Sequence, residues 1–226
     1  MIYAILLLVL ICLIYGPNLW VRHIIRKHDK PLEGMPGTGA ELATHLIERF
    51  QLEGISVQET EKDADYFSPS EGIVGLSPEV FHGKSLSSVA IAAHEVGHAI
   101  QHVRQEPVSE LRNRYAGKAR MIQYFGIWIL GSAPLVGALS RNPGVLALLI
   151  GAGIVAMLAS VAFHALILPE EFDASFDKAL PILEQGYLPE PYLPAVREVL
   201  KACAYTYVAS ALSDVLSIWR WLAILR

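Results

Sequence analysis

The chain has 226 residues, 53% of them hydrophobic, a mean hydropathy of +0.40 and a net charge of −4. That much apolar residue is high for a soluble enzyme and points to a membrane protein with a modest polar part. The negative balance excludes a nucleic-acid-binding class. Two cysteines, Cys12 and Cys203, exclude a disulfide framework and a Cys-based metal site.

Ile2 to Val21 is apolar apart from Tyr3, Tyr15 and Asn18, which is about the 20 residues needed to span a bilayer. It lacks a basic leading region and a small-x-small cleavage site, so it reads as an uncleaved anchor. A basic cluster follows (Arg22, Arg26, Lys27, Lys30), then a Pro/Gly-rich hinge from Pro31 to Gly39. Ala40 to Phe50 predicts a short amphipathic helix with Leu42, Leu46, Ile47 and Phe50 on one face. Ile55 to Val57, Tyr66-Phe67 and Ile73 to Leu76 predict short strands between turn-rich breaks. The last of these is a candidate edge strand for adding an extended peptide, and its residues fit a plain core strand at least as well.

A helix is predicted from Ser87 to Val103, with N-cap candidates in Ser85-Leu86-Ser87-Ser88. It carries His94-Glu95-Val96-Gly97-His98. On a helix His94 and His98 are one turn apart on the same face, so two imidazole nitrogens can grip one Zn²⁺. Glu95 lies beside the first His, where its carboxylate can reach an attacking water without ligating the metal. Gly97 is a poor helix former, and its expected use is to let another backbone or a substrate pass close to the metal.

Pro107 separates this helix from a polar one carrying Arg112, Arg114, Lys118 and Arg120. Met121 to Leu139 and Val145 to Leu168 are further apolar runs, joined by the turn Ser140 to Gly144, and read as a transmembrane hairpin. Ala152, Ala156 and Ser160 form a small-residue stripe suited to close helix packing in lipid. His164 continues that stripe; a metal or proton ligand is one reading, and a bond to a neighbouring helix or a place near the interface is the one expected. Pro169 to Lys201 is polar. Ala202 to Leu225 is a fourth apolar stretch, interrupted by Asp214 and Arg220, and is compatible with a span, a helix packed into the bundle or one lying at the interface, where Trp219 and Trp221 would suit a belt.

These segments predict a mainly α membrane protein of about four apolar membrane-associated helices, with a zincin-like region holding a few short strands. The expected division is an anchor at 1–22, a catalytic region at 23–120, a hairpin at 121–168, a polar segment at 169–202 and a C-terminal helix at 203–226. Between Arg22 and Arg120 there are twelve Lys and Arg residues, whereas the hairpin turn holds only Arg141. By the positive-inside rule the polar segments face the cytoplasm and the Arg141 turn faces outward.

A catalytic zinc takes three protein ligands and keeps one open position. Glu170, Glu171, Asp173 and Asp177 are the downstream candidates, in Leu168-Pro169-Glu170-Glu171-Phe172-Asp173-Ala174-Ser175-Phe176-Asp177. His102 competes, but a straight helix spreads three histidines at i, i+4 and i+8 along about 12 Å, too far for one ion.

Ala93 to Gln101, followed downstream by Glu171-Phe172-Asp173-Ala174-Ser175, resembles the bacterial membrane zinc metallopeptidases of the YugP-like family. The resemblance extends to Gly39-Ala40-Glu41, to Leu76-Ser77-Pro78-Glu79-Val80-Phe81-His82-Gly83, and to the anchor and hairpin. The family is distantly similar to the membrane gluzincins of the HtpX and CAAX types, in which a Glu-aromatic-x-Ala-Asp pattern supplies the third ligand. The resemblance implies a Zn²⁺ held by His94, His98 and Glu171, with Glu95 as general base. Ser175 stands where that pattern has Asp, which leaves Asp173 and Asp177 as substitute partners for a ligating His. Tyr66-Phe67-Ser68-Pro69 likewise departs from the His-Tyr-Asp-Pro expected there.

The implied function is a zinc endopeptidase of the bacterial inner membrane, cleaving peptide or membrane-protein substrates at the cytoplasmic face, with the lipid bilayer as its other partner. The alternatives are a zinc-binding scaffold and a non-peptide hydrolase. Tyr66, Tyr115, Tyr205, Tyr207 and His102 are chemically able to stabilise an oxyanion.

Overall fold

A computed structural model describes residues 2–215, and the side chains of residues 2–11, 13, 14, 211 and 213–215 lie outside that description. Helix α1 runs from Ile2 to Lys27. Helix α2 (Gly39–Arg49) follows, then strands β1 (Ser56–Glu59), β2 (Tyr66–Ser68) and β3 (Ile73–Leu76), the short α3 (Pro78–Phe81) and α4 (Leu86–Val103). A 3₁₀ turn at Pro107–Ser109 leads into α5 (Glu110–Ser140) and α6 (Pro143–Ala165). Next come α7 (Leu168–Phe172), a π-helix at Asp173–Ala179, α8 (Leu180–Glu184) and α9 (Leu193–Val215). The described residues are thus mainly helical with one small sheet.

It divides into two compact units. One holds residues 1–18, 111–168 and 207–226; the other holds 19–110 and 169–206.

The first unit contains most of α5 and all of α6. The polar helix after Pro107 and the apolar run from Met121 form one continuous helix, α5, of 31 residues. The Asn142 side chain accepts from Gly144 N–H and caps α6. The contact between the two helices runs through Gly126, Gly153, Ala156 and Ser160, so the small-residue stripe is shifted: Gly153 is buried and Ala152 is exposed. A Cβ on Gly153 would lie 2.2 Å from Leu130 Cγ, so only Gly allows this approach. Ser160 Oγ donates to Ala119 O at 2.9 Å. The His164 Nδ1–H donates to Ser160 O one turn back on α6, a local bond that absorbs its polar ring. Trp128, Leu135, Leu139, Leu148, Val155 and Leu158 are exposed.

Among the described residues two helices, not four, are long and apolar enough to cross a membrane; they are contributed by α5 and α6. Of the fourth apolar stretch, Ala202, Cys203 and Ala204 are buried within the second unit, and the part beyond Val215 lies outside the described residues. Arg220 and the Trp219 and Trp221 belt lie outside the described residues.

In the second unit, Thr38 and Glu41 form a reciprocal capping box that starts α2, a device worth about 1 kcal/mol. Leu42 and Leu46 of α2 are buried. Helix α4 is buried on every side from Leu86 to Gln101, as its apolar residues dictate. Ser85 caps it by accepting from Ser88 N–H at 3.0 Å. The end of α1 is stitched to this start, since Ser87 Oγ donates to Ile25 O at 2.7 Å and Ser85 Oγ donates to Asp29 Oδ1 at 3.1 Å.

The sheet order is β1-β3-β2, with β1 parallel and β2 antiparallel to β3. β3 is therefore the central strand, not an edge. Its apolar run without alternation, Ile73-Val74-Gly75-Leu76, suits a strand flanked on both sides. The open edges belong to β1 and β2, and β2 lies against α4 through Phe67, whose ring packs 5.6 Å from that of His102.

Candidate metal centre

His94 and His98 project from α4, and Glu171 from α7. All three are almost fully buried. Their nearest ligand atoms form a near-equilateral triangle. His94 Nε2 and His98 Nε2 are 3.2 Å apart, and Glu171 Oε2 lies 3.4 Å from the first and 3.3 Å from the second. A tetrahedral ion with bonds of 2.0–2.1 Å separates its ligand atoms by about 3.3–3.4 Å. The donor set of two imidazoles and one carboxylate also matches zinc. These three residues are the group that could hold a metal among the described residues.

The approach of α7 and the π-helix to α4 depends on Gly97. A Cβ there would lie 2.7 Å from Ala174 O and 3.2 Å from its Cα. The expectation that Gly97 admits a second backbone is met, and that backbone is the π-helix beside Glu171. Gly97→Ala should therefore push the π-helix away from α4. Overpacking of this kind costs about 1–3 kcal/mol, partly offset by the roughly 1 kcal/mol that Ala contributes to a helix. Denaturant unfolding and zinc titration should show lower stability and weaker metal binding; unchanged values would mean that the helices part freely.

The imidazoles are held by partners that sequence reasoning missed. His98 Nδ1 is 2.9 Å from Gln101 Oε1, and the Gln101 amide nitrogen donates to Glu170 O at 2.9 Å and Asp173 Oδ2 at 2.7 Å. Two acceptors on that nitrogen orient the amide, so Oε1 accepts the Nδ1–H of His98. The His98 Nε2 lone pair then points into the triangle. His94 Nδ1 meets Ser175 Oγ at 3.0 Å. Neither Asp173 nor Asp177 takes the part expected of it. Asp173 binds Gln101 and Lys178, which also pairs with Glu106 at 2.9 Å; Asp177 is exposed. The signal available was spacing: Gln101 is three residues past His98, and Ser175 is four past Glu171.

The other candidates lie elsewhere. Glu170 is buried outside the triangle, and its carbonyl serves Gln101. His102 is exposed beside Phe67. Tyr205 packs edge-on against Phe172, at 5.4 Å, and against Trp20. Tyr66 is exposed on β2, while Tyr115 and Tyr207 belong to the other unit.

Glu95, next to His94, is buried and close enough to Asp65 to act on it electrostatically. Burial pushes the Asp65 carboxyl up to about 6, with the Glu95 charge adding to the rise and hydrogen bonds from Ser77 N–H and Oγ–H opposing it. Two carboxyl groups thus share this side of the site, and Asp65 had no part in the sequence-based expectations.

The family model described as "Putative neutral zinc metallopeptidase" matches residues 3–226. The chain belongs to that family. It is also similar to a protein of Bacillus subtilis (strain 168) named "Putative membrane protease YugP", with 29% identity over 220 residues covering 92% of each chain. No solved structure matches. Family membership extends over both units and includes the buried His94, His98 and Glu171.

Proposed function

We propose that the chain is a membrane-embedded zinc endopeptidase of gluzincin type, holding one Zn²⁺ through His94, His98 and Glu171. The observation that carries this reading is the buried triangle of 3.2–3.4 Å edges with Glu95 adjoining it in sequence. Bound zinc supplies Lewis acidity, which acidifies a water and polarises a carbonyl. Glu95 accepts the proton of the attacking water and passes it to the leaving amine. Its burial keeps that carboxylate away from competing bulk water. β2, as an open edge strand against α4, can take an extended substrate by main-chain pairing, the part first expected of β3.

The same reading keeps the division into an anchor (1–22), a catalytic region (23–120), a hairpin (121–168), a polar segment (169–202) and a C-terminal helix (203–226). Charge asymmetry supports a cytoplasmic active site in the bacterial inner membrane. Glu171 follows the third apolar run by three residues, which suits peptide or membrane-protein substrates presented at the bilayer surface. In intact cells, Cys substitutions at Gly34 and Glu184 should resist an impermeant maleimide and one at Asn142 should react; ready labelling of Gly34 or Glu184 would reverse the orientation.

The activity itself is tested with the purified full chain and casein or an unfolded membrane peptide. Cleavage should disappear on chelation and return with zinc. Metal-independent cleavage defeats the reading, and zinc-dependent hydrolysis confined to simple esters points to the non-peptide alternative. Full zinc occupancy without any hydrolysis favours the scaffold.

A further inference from the structure

We propose that Ser175 is a positioning residue for the metal centre, set by the Leu200 carbonyl of α9, and that this neutral relay prepares His94 to bind. The inference rests on the metal reading above. Ser175 is fully buried, and its Oγ has two neighbours: His94 Nδ1 at 3.0 Å and Leu200 O at 3.0 Å. A hydroxyl has one proton, and a carbonyl can only accept. Ser175 therefore donates to Leu200 and accepts from the Nδ1–H of His94. His94 is left with a bare Nε2, directed at the point where His98 Nε2 and Glu171 Oε2 converge.

The reverse arrangement is disfavoured. If Ser175 donated to His94 Nδ1, the imidazole proton would move to Nε2, 3.2 Å from His98 Nε2 and in the ion's place. Leu200 O would also lose the hydroxyl's bond at a place where both residues are buried away from bulk solvent. The relay thus selects the metal-binding tautomer before any ion arrives. It does so without the carboxylate that related patterns place at this position, so no further negative charge enters the centre. His98 is held in the same sense by Gln101, another uncharged acceptor. α9 thereby contributes through its main chain to a site whose side chains all come from other elements.

The test uses the full chain in detergent micelles with ¹⁵N-labelled histidine. Long-range ¹H–¹⁵N spectra of the zinc-free protein report the His94 tautomer, and chelator competition reports zinc affinity. Wild type should show His94 protonated at Nδ1. Ser175→Ala should populate the other tautomer and weaken zinc binding by about 10–100-fold, the usual loss when a ligand's hydrogen-bond partner is removed. Ser175→Thr, which keeps the hydroxyl, should restore both. An unchanged tautomer with zinc affinity within about twofold of wild type in Ser175→Ala, at matched thermal stability, would overturn the proposal. So would failure of Ser175→Thr to exceed Ser175→Ala when both fold normally. A wild-type protein that binds no zinc would defeat the metal reading instead, while the tautomer spectra, recorded without metal, still decide the role of Ser175.

Discussion

Glu95→Gln should bind zinc and fold as wild type while losing at least about 10²-fold in peptide hydrolysis, the lower end for removing a general base. The substitution is nearly isosteric and touches none of the three atoms that form the triangle. It removes one thing, a carboxylate able to take a proton. Elemental analysis and thermal melting establish that metal and fold are intact, and turnover of a peptide substrate measures the loss. Because Glu95 is buried, no solvent-borne base readily substitutes for it. Near-normal turnover in a preparation free of contaminating proteases would remove Glu95 from the mechanism.

Glu171→Ala should lose most of its zinc. Two imidazoles would remain where a catalytic site needs three protein ligands, and the only anionic corner of the triangle would be gone. Glu170→Ala and His102→Ala should keep their metal, since neither side chain belongs to the triangle. Zinc per protein measured by elemental analysis decides between them. Depletion in Glu170→Ala with full occupancy in Glu171→Ala would move the ligand by one residue. Depletion only in His102→Ala would refute the gluzincin assignment. The two experiments separate chemistry from binding: one removes turnover and leaves the ion, the other removes the ion.

Much of the local structure is legible in the residues. The apolar sequence around His94 and His98 predicts a buried helix, and the four-residue spacing puts both rings on one face. Ser85 to Ser88 mark where α4 begins, and β1, β2 and β3 lie within a residue or two of the expected segments. What the residues leave open shares one cause. β3 reads equally well as edge or centre until its pairing partners are known. The stripe on α6 keeps Ala156 and Ser160 but exchanges Ala152 for Gly153, because its face is chosen by Gly126 and Leu130 of α5. Ala202 to Ala204 fit a membrane segment or a packed helix equally well by composition, and their burial within the second unit is settled by packing.

By itself, the sequence determined which residues carry chemistry: a His-Glu-x-x-His helix, a later acidic cluster, and apolar runs too long for a small soluble core. These are matters of residue type and short spacing, which helical geometry converts directly into a shared face. Residue type and spacing left Glu170 and Glu171 as rivals one position apart, the family resemblance implied Glu171, and the tertiary structure brings that side chain to the histidines through the rotation of α7 against α4. It also decided that Ser175 and Gln101, rather than Asp173 or Asp177, hold the two rings. A hydrogen bond needs a partner within about 3 Å in the right direction. Between positions 94 and 175 that proximity is set by packing across Gly97, where the absence of one Cβ lets two helices meet.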